Sequence, residues 1–203
     1  MTAYREKLAL LSLGDVEGHP FRGNQWTEGE GGDSDTEGQR WRWGTYAVKK
    51  AVSEYTLGGA RYINEHLRAG KGPRWANRND VLEMDTHMTR NRLPKDTTLS
   101  RTVPTSVVAS LDVGDVYQDD GFVSTTADPA ALAKIQDDIG VADKAKQSTL
   151  TVLAPKGLGH INVNEEIGTD HRYARQQEVI LPRGLKYKVV SKGPNGMTVQ
   201  VQP

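Results

Sequence analysis

A chain of 203 residues in which helix-spaced and strand-like stretches are segregated predicts an α+β domain, with N-terminal helices packed on a core of mostly antiparallel strands. Before Pro94, apolar residues recur at helical spacing. After it come short runs rich in Val, Thr, Ile and Tyr, most of them bounded by Gly or Pro. The two textures do not alternate, which argues against a doubly wound parallel sheet, and no internal repeat interrupts them.

The folded part is expected to begin near Trp41. From residue 45 to 68, Val48, Val52, Tyr55, Tyr62, Ile63 and Leu67 follow a helical period. Gly58 and Gly59 interrupt it, so two short helices with a bend are expected. A third helix is expected over 79–90, with Asp80, Val81, Leu82 and Met84 in its first turns and Pro94 closing it. Strands are expected at 97–102, 116–117, 122–126, 149–154, 179–181, 186–190 and 197–201. One further helix, 129–135, should be N-capped by Asp128.

Formal net charge is zero, but the balance is uneven. Residues 1–38 hold 3 basic and 8 acidic side chains, and residues 39–203 hold 23 and 18. Residues 14–38 offer little to bury, and 27–38 read as an acidic, disordered linker. Residues 1–38 are therefore read as an N-terminal appendage and 39–203 as the folded domain. The domain's mild basic excess suits an anionic small ligand at least as well as a nucleic acid. Inside the appendage, His19-Pro-Phe-Arg-Gly-Asn-Gln-Trp26 carries two aromatics. It reads as a turn that packs a Trp, and it is also similar to a short segment in head-associated proteins of tailed phages that infect actinobacteria, a hint of origin only.

The composition excludes several classes. There is no cysteine, so disulfides, thiolate nucleophiles and zinc–thiolate sites are ruled out. His19, His66, His87, His160 and His171 lack ligand spacing, and no metal site is expected. No apolar run approaches membrane-spanning length, so no membrane partner is expected. The apolar run 8–11 is too short for a secretory signal. Gly157-Leu-Gly159 reads as a turn rather than a dinucleotide fingerprint, and the Arg-rich stretch 61–78 as a solvated helix face.

Three stretches put polar groups where a strand should bury apolar ones. Leu99-Ser100-Arg101-Thr102 carries an Arg in a strand-like segment, and Gly121-Phe-Val-Ser124-Thr125-Thr126 ends a strand in three hydroxyls. Tyr173-Ala-Arg-Gln176-Gln177-Glu178-Val-Ile-Leu-Pro182 sets a carboxylate at the mouth of a buried apolar run. An amide two residues earlier, Gln176, should share its face by strand alternation. A carboxylate there does little for stability but suits chemistry on a sugar carbon, where an anion steadies a developing cation.

In this order, the three stretches resemble the mono-ADP-ribosyltransferases of the Arg–Ser–Glu class. The likeness extends to Tyr55-Thr-Leu-Gly-Gly-Ala-Arg-Tyr-Ile-Asn64-Glu-His-Leu-Arg68, to Gly114-Asp-Val-Tyr-Gln-Asp-Asp-Gly-Phe-Val-Ser-Thr-Thr126 and to Glu178-Val-Ile-Leu-Pro-Arg-Gly184, and it runs from about residue 41 to the C-terminus. It implies the split β-sandwich fold of that family. It implies NAD as substrate and transfer of ADP-ribose to a macromolecule with release of nicotinamide. Arg101 would clamp the pyrophosphate. Glu178 would bind the ribose 2′-hydroxyl and steady the oxocarbenium, with Ser124 holding its carboxylate. Thr125 and Thr126 would wall the nicotinamide pocket, and the backbone at Arg101 and Thr102 would bond the nicotinamide amide. No metal is implied.

Gln176 bears on the acceptor. Arginine-modifying members carry Glu there. The Gln-x-Glu form with an aromatic three residues before it, Tyr173 here, is similar to the clostridial Rho-modifying exoenzymes and to pierisin-type toxins that modify guanine. The loop 164–175 would then recognise the target through Tyr173, and the acceptor would be an amide side chain or a guanine. Two departures from the family pattern stand out. Ser100 and Thr102 flank the Arg where an aromatic and a Gly are common, and Thr126 replaces a Ser. The rival readings are an NAD glycohydrolase toxin and a non-catalytic phage head-associated module. The place of action is expected to be the cytoplasm of the target or host cell, with packaging in a phage particle as an alternative. A virion component or an antidote protein would be the further partner.

Overall fold

The computed structural model describes residues 46–72, 77–132 and 146–202. The readings for residues 1–38, segment 19–26 included, lie outside them, as do residues 133–135. Helix α1 occupies residues 46–54. A kinked junction, Tyr55–Gly59, joins it to α2, Ala60–Arg68; the Ala60 N–H donates to the Tyr55 carbonyl across it, and it is called the π turn below for that five-residue spacing. The expected bend sits at Gly58, whose φ of 156° is open to glycine and rarely to other residues. Gly59 is needed for a different reason, since a Cβ there would stand 2.6 Å from the Glu54 carbonyl oxygen. Helix α3 spans Arg78–Arg90 and stops before Pro94 is reached. Asn91 ends it: its backbone N–H and its side-chain amide donate to the His87 carbonyl at 3.0 and 3.1 Å.

Every strand expected from the sequence forms. They are β1 Thr97–Pro104, β2 Val116–Asp119, β3 Val123–Thr126, β4 Gln147–Ala154, β6 Glu178–Leu181, β7 Leu185–Gly193 and β8 Gly196–Gln202. Short elements go beyond the sequence reading, among them α4 Thr105–Ala109, β5 Ile161–Asn162 and α5 Val163–Ile167. None is long enough to establish a period in the sequence. After Asp128, Ala131 and Leu132 are helical, and the Asp128 carboxylate caps them by accepting from Ala130 N–H at 2.9 Å.

The strands run in the order β2-β7-β8-β4-β1-β3-β6-β5. Their pairings are antiparallel except β4 with β8. The sheet is nearly cut in two between β1 and β3, where a single pair, Ser100 with Thr126, carries the register. On one side of this seam β1 pairs with β4 along its whole length, and on the other β3 pairs with β6 along all four residues. This is the split sandwich expected from the resemblance. Two cores result. Leu99, Val103, Leu150, Val152, Val179, Leu181, Tyr187, Val189, Val199 and Val201 fill the space between the half-sheets. Val52, Tyr55, Ile63, Leu67, Val81, Met84, Phe122, Ile161 and Ile180 join the three long helices to the β3–β6 half.

Candidate active site

The site forms where the π turn meets the first residues of β6 and the end of β3. Strand alternation sends Val179 and Leu181 into the inter-sheet core, which leaves Glu178 and Ile180 facing the helices. Glu178 is paired with Thr126 in the ladder and is buried. Its Oε2 accepts from Thr56 Oγ1 at 3.0 Å. Ser124 donates to the same carboxylate. Burial drives the Glu178 pKa above the usual carboxylate value, and the two hydroxyls oppose that shift without cancelling it.

Ser124 is itself held. Tyr55 Oη lies 3.3 Å from its Oγ. The Tyr55 ring is fully buried edge-on to Phe122, with centroids 5.8 Å apart. Asn64 locks this corner: its Nδ2 donates to Tyr55 Oη at 2.9 Å and to the Phe122 carbonyl at 3.1 Å, and its Oδ1 accepts from Phe122 N–H at 2.9 Å. Burial pushes the Tyr55 hydroxyl up to about 12, the Ser124 hydrogen bond works against it, and the Glu178 charge adds to it, so Tyr55 stays a neutral phenol at physiological pH. The sequence marks Tyr55, Thr56 and Asn64 as part of a recognisable helix but assigns them no role. Their value depends on the π turn, which a helical period does not reveal.

Arg101 approaches from the far side of the seam. It is buried on β1, and burial together with the Arg68 guanidinium lowers its pKa, while Asp119 opposes that. Arg68 corrects the reading of residues 61–78 as a solvated face. Arg61 fits that reading, paired on the surface with Glu65 at 3.0 Å. Arg68 does not: it is buried and grips Asp119 through two bonds, Nε to Oδ1 at 2.8 Å and Nη2 to Oδ2 at 3.0 Å. Gly121 N–H also donates to Asp119 Oδ1, at 2.9 Å. Two guanidiniums thus lie in one buried region, and Tyr55 senses both Glu178 and Arg68.

The remaining expected residues divide. Thr125 faces away from Ser124, and its hydroxyl is taken up by the Val179 carbonyl at 2.6 Å. Thr126 spends its hydroxyl on the turn that follows, accepting from Asp128 N–H at 3.0 Å. Thr102 alternates away from Arg101, and its buried Oγ1 has no hydrogen-bond partner among the described residues. Gln176 corrects the alternation argument: it lies in a 3₁₀ turn, Ala174–Gln176, and not on the strand. Gln177 then takes a left-handed conformation, φ 47° and ψ 50°, so the face of Gln176 does not follow from that of Glu178. The expected loop 164–175 begins inside α5, and the irregular chain starts at Gly168. Tyr173 is half-buried with the Arg172 guanidinium stacked 4.5 Å from its ring centre. Arg172 Nη2 also reaches the Leu57 carbonyl, at 3.5 Å, which links this loop to the π turn. Among the described residues no three His, Asp or Glu side chains are grouped so as to hold a metal ion.

A family profile described as ADP-ribosyltransferase exoenzyme matches residues 23–202. No curated protein sequence matches the chain. Among solved structures, a C3-type protein of S. aureus crystallised with NAD is 21% identical, covers 86% of this chain and 99% of that one, and superposes with a TM-score of 0.61. An ADP-ribosyltransferase from Clostridium botulinum is 17% identical over 88% of this chain and 99% of that one, with a TM-score of 0.59. The C3 exoenzyme of Clostridium limosum is 20% identical over 83% and 95%, with a TM-score of 0.57. At these identities the structures establish a common fold.

Proposed function

This chain belongs to the ADP-ribosyltransferase exoenzyme family, and from that premise we propose which residues do the chemistry and what accepts the sugar. It is an NAD-dependent mono-ADP-ribosyltransferase: the bond from ribose C1′ to the nicotinamide nitrogen breaks, its electrons leave with nicotinamide, and a macromolecular nucleophile takes C1′. Glu178 steadies the positive charge that builds on the ribose. The observation that carries this role is a buried carboxylate oriented by two hydroxyls, Thr56 and Ser124, with Ser124 supported in turn by the Tyr55, Asn64 and Phe122 corner. Its charged form acts in a low-dielectric setting where charge stabilisation is strong. Arg101, with Arg68 beside it, receives the pyrophosphate, because an anion relieves the cost of burying their positive charge together. The backbone beside Arg101 and Thr102 meets the nicotinamide amide.

The acceptor is an amide side chain or a guanine, and not arginine. Gln176 supports this reading: an amide can orient a nucleophile by hydrogen bonding but cannot deprotonate a guanidinium. Tyr173, backed by the Arg172 guanidinium, offers a stiff aromatic surface for the target. Such an enzyme acts in the cytoplasm of the cell whose NAD it consumes. Mass spectrometry of protein and nucleic acid from a lysate treated with NAD and the enzyme is the test. ADP-ribose on Asn, Gln or guanine is expected, and modification of arginine would contradict the reading. Nicotinamide release that no acceptor accelerates would favour a dedicated NAD glycohydrolase.

A further inference from the structure

We propose that Thr56 is a positioning residue of the transferase, whose hydroxyl orients the Glu178 carboxylate toward the ribose; this rests on the reading of Glu178 given above. Ser124 and Thr56 reach Glu178 from different elements. Ser124 comes from the neighbouring strand of the same sheet, and Thr56 comes across the gap from the helices, donating to Oε2 at 3.0 Å. A carboxylate held by one hydroxyl can still swing about its terminal bond, because that torsion has broad wells. A second donor from another direction fixes the plane of the two oxygens. The oxygen not held by Thr56 is then presented in a set direction for the ribose 2′-hydroxyl.

The π turn explains why Thr56 can do this. Adjacent side chains on a regular α-helix point about 100° apart, so a pair of neighbours rarely serves one site. At Tyr55–Gly59 the chain kinks through the non-helical Gly58, and the Ala60 N–H donates to the Tyr55 carbonyl across the kink. Tyr55 then meets Ser124 at 3.3 Å while Thr56 meets Glu178 at 3.0 Å. Each member of the carboxylate–serine pair has its own support from consecutive residues of one turn. The turn also requires its glycines, Gly58 for the positive φ and Gly59 for close passage by the Glu54 carbonyl.

The experiment compares Thr56→Val and Thr56→Ser with the wild type, reading nicotinamide release across pH. Val keeps the shape and β-branching of Thr without the hydroxyl. Thr56→Val should lower kcat roughly ten-fold, as expected for one lost hydrogen bond to a charged group, and leave KM for NAD within about two-fold. The acid limb of the profile should move to higher pH, because the Thr56 hydroxyl holds the Glu178 pKa down and its removal lets burial raise it further. Tyr55, the titratable side chain beside Glu178 on the helix side, ionises only at about 12 and does not enter this limb. Thr56→Ser should restore kcat and the limb. A Thr56→Val enzyme with wild-type kcat and profile would overturn the proposal, and so would a Thr56→Ser enzyme as impaired as Thr56→Val. Glu178→Gln is run in parallel. If it stays active, the assignment of Glu178 itself falls and Thr56 falls with it; if it is inactive while Thr56→Val is normal, the Thr56 inference alone fails.

Discussion

In the proposed mechanism, Glu178 is a carboxylate that weakens the fold and serves the reaction. Burial raises its pKa, so ionising it in the folded protein costs more than in the unfolded chain. Its contribution is therefore most favourable below the unfolded carboxylate pKa and is lost as pH rises through the raised folded value. Glu178→Gln should raise the melting temperature near neutral pH, and the gain should shrink as pH falls into the carboxylate range; a gain that grows on acidification would contradict the sign. Gln176 answers a different question at the same scale. Gln176→Ala should keep nicotinamide release into water within about three-fold yet lose at least about ten-fold in acceptor modification, the loss of a hydrogen bond at the transferring atom. Paired assays of release and labelling separate the two. Glu178 was legible in the sequence because a charged residue heads a strand that is buried throughout. The geometry of Gln176 was not, since the left-handed Gln177 breaks the alternation between them and only a backbone angle records it.

Among the elements, the π turn contributes most to the proposed site and was least visible beforehand. The glycine pair announced a bend, and the bend is there, but its register decides that Tyr55 and Thr56 face Ser124 and Glu178. Gly59→Ala puts a methyl 2.6 Å from a backbone carbonyl oxygen that cannot rotate away. The turn must open, at a cost of about 1–3 kcal/mol. A lower melting temperature and slower nicotinamide release are expected together; an unchanged rate would mean that the turn does not position the site. The strands were readable because β-branched runs between Gly and Pro have few other uses. The five-residue helices α4 and α5 and the two-residue β5 form because flanking elements hold them, and that information is not local.

At the scale of the whole molecule, the seam between β1 and β3 separates the two cores and brings their polar ends together. Glu178, Ser124 and Thr56 stand on the helix side, and Arg101 lies across the seam on β1, where it meets Arg68 and Asp119. The Arg68–Asp119 pair ties α2 to the end of β2 and so joins the helices to the half-sheet beyond the seam. Asp119→Ala would leave a buried guanidinium beside Arg101 without its carboxylate. It should cost about 3–5 kcal/mol, read as a lower urea midpoint. The Arg, Ser and Glu elements in their chain order, together with the stretch 55–68, carried the resemblance by which the sequence indicated the family. The burial of Arg68 was not legible, because an arginine on an amphipathic helix reads as solvated unless its distant partner is known. The central claim is that Glu178 drives transfer of ADP-ribose from NAD. Incubating labelled NAD and cell lysate with the wild type and with Glu178→Ala tests it most directly. Label should enter a macromolecule with the wild type and fall at least about a hundred-fold with the variant. Labelling by Glu178→Ala at the wild-type rate would contradict the account.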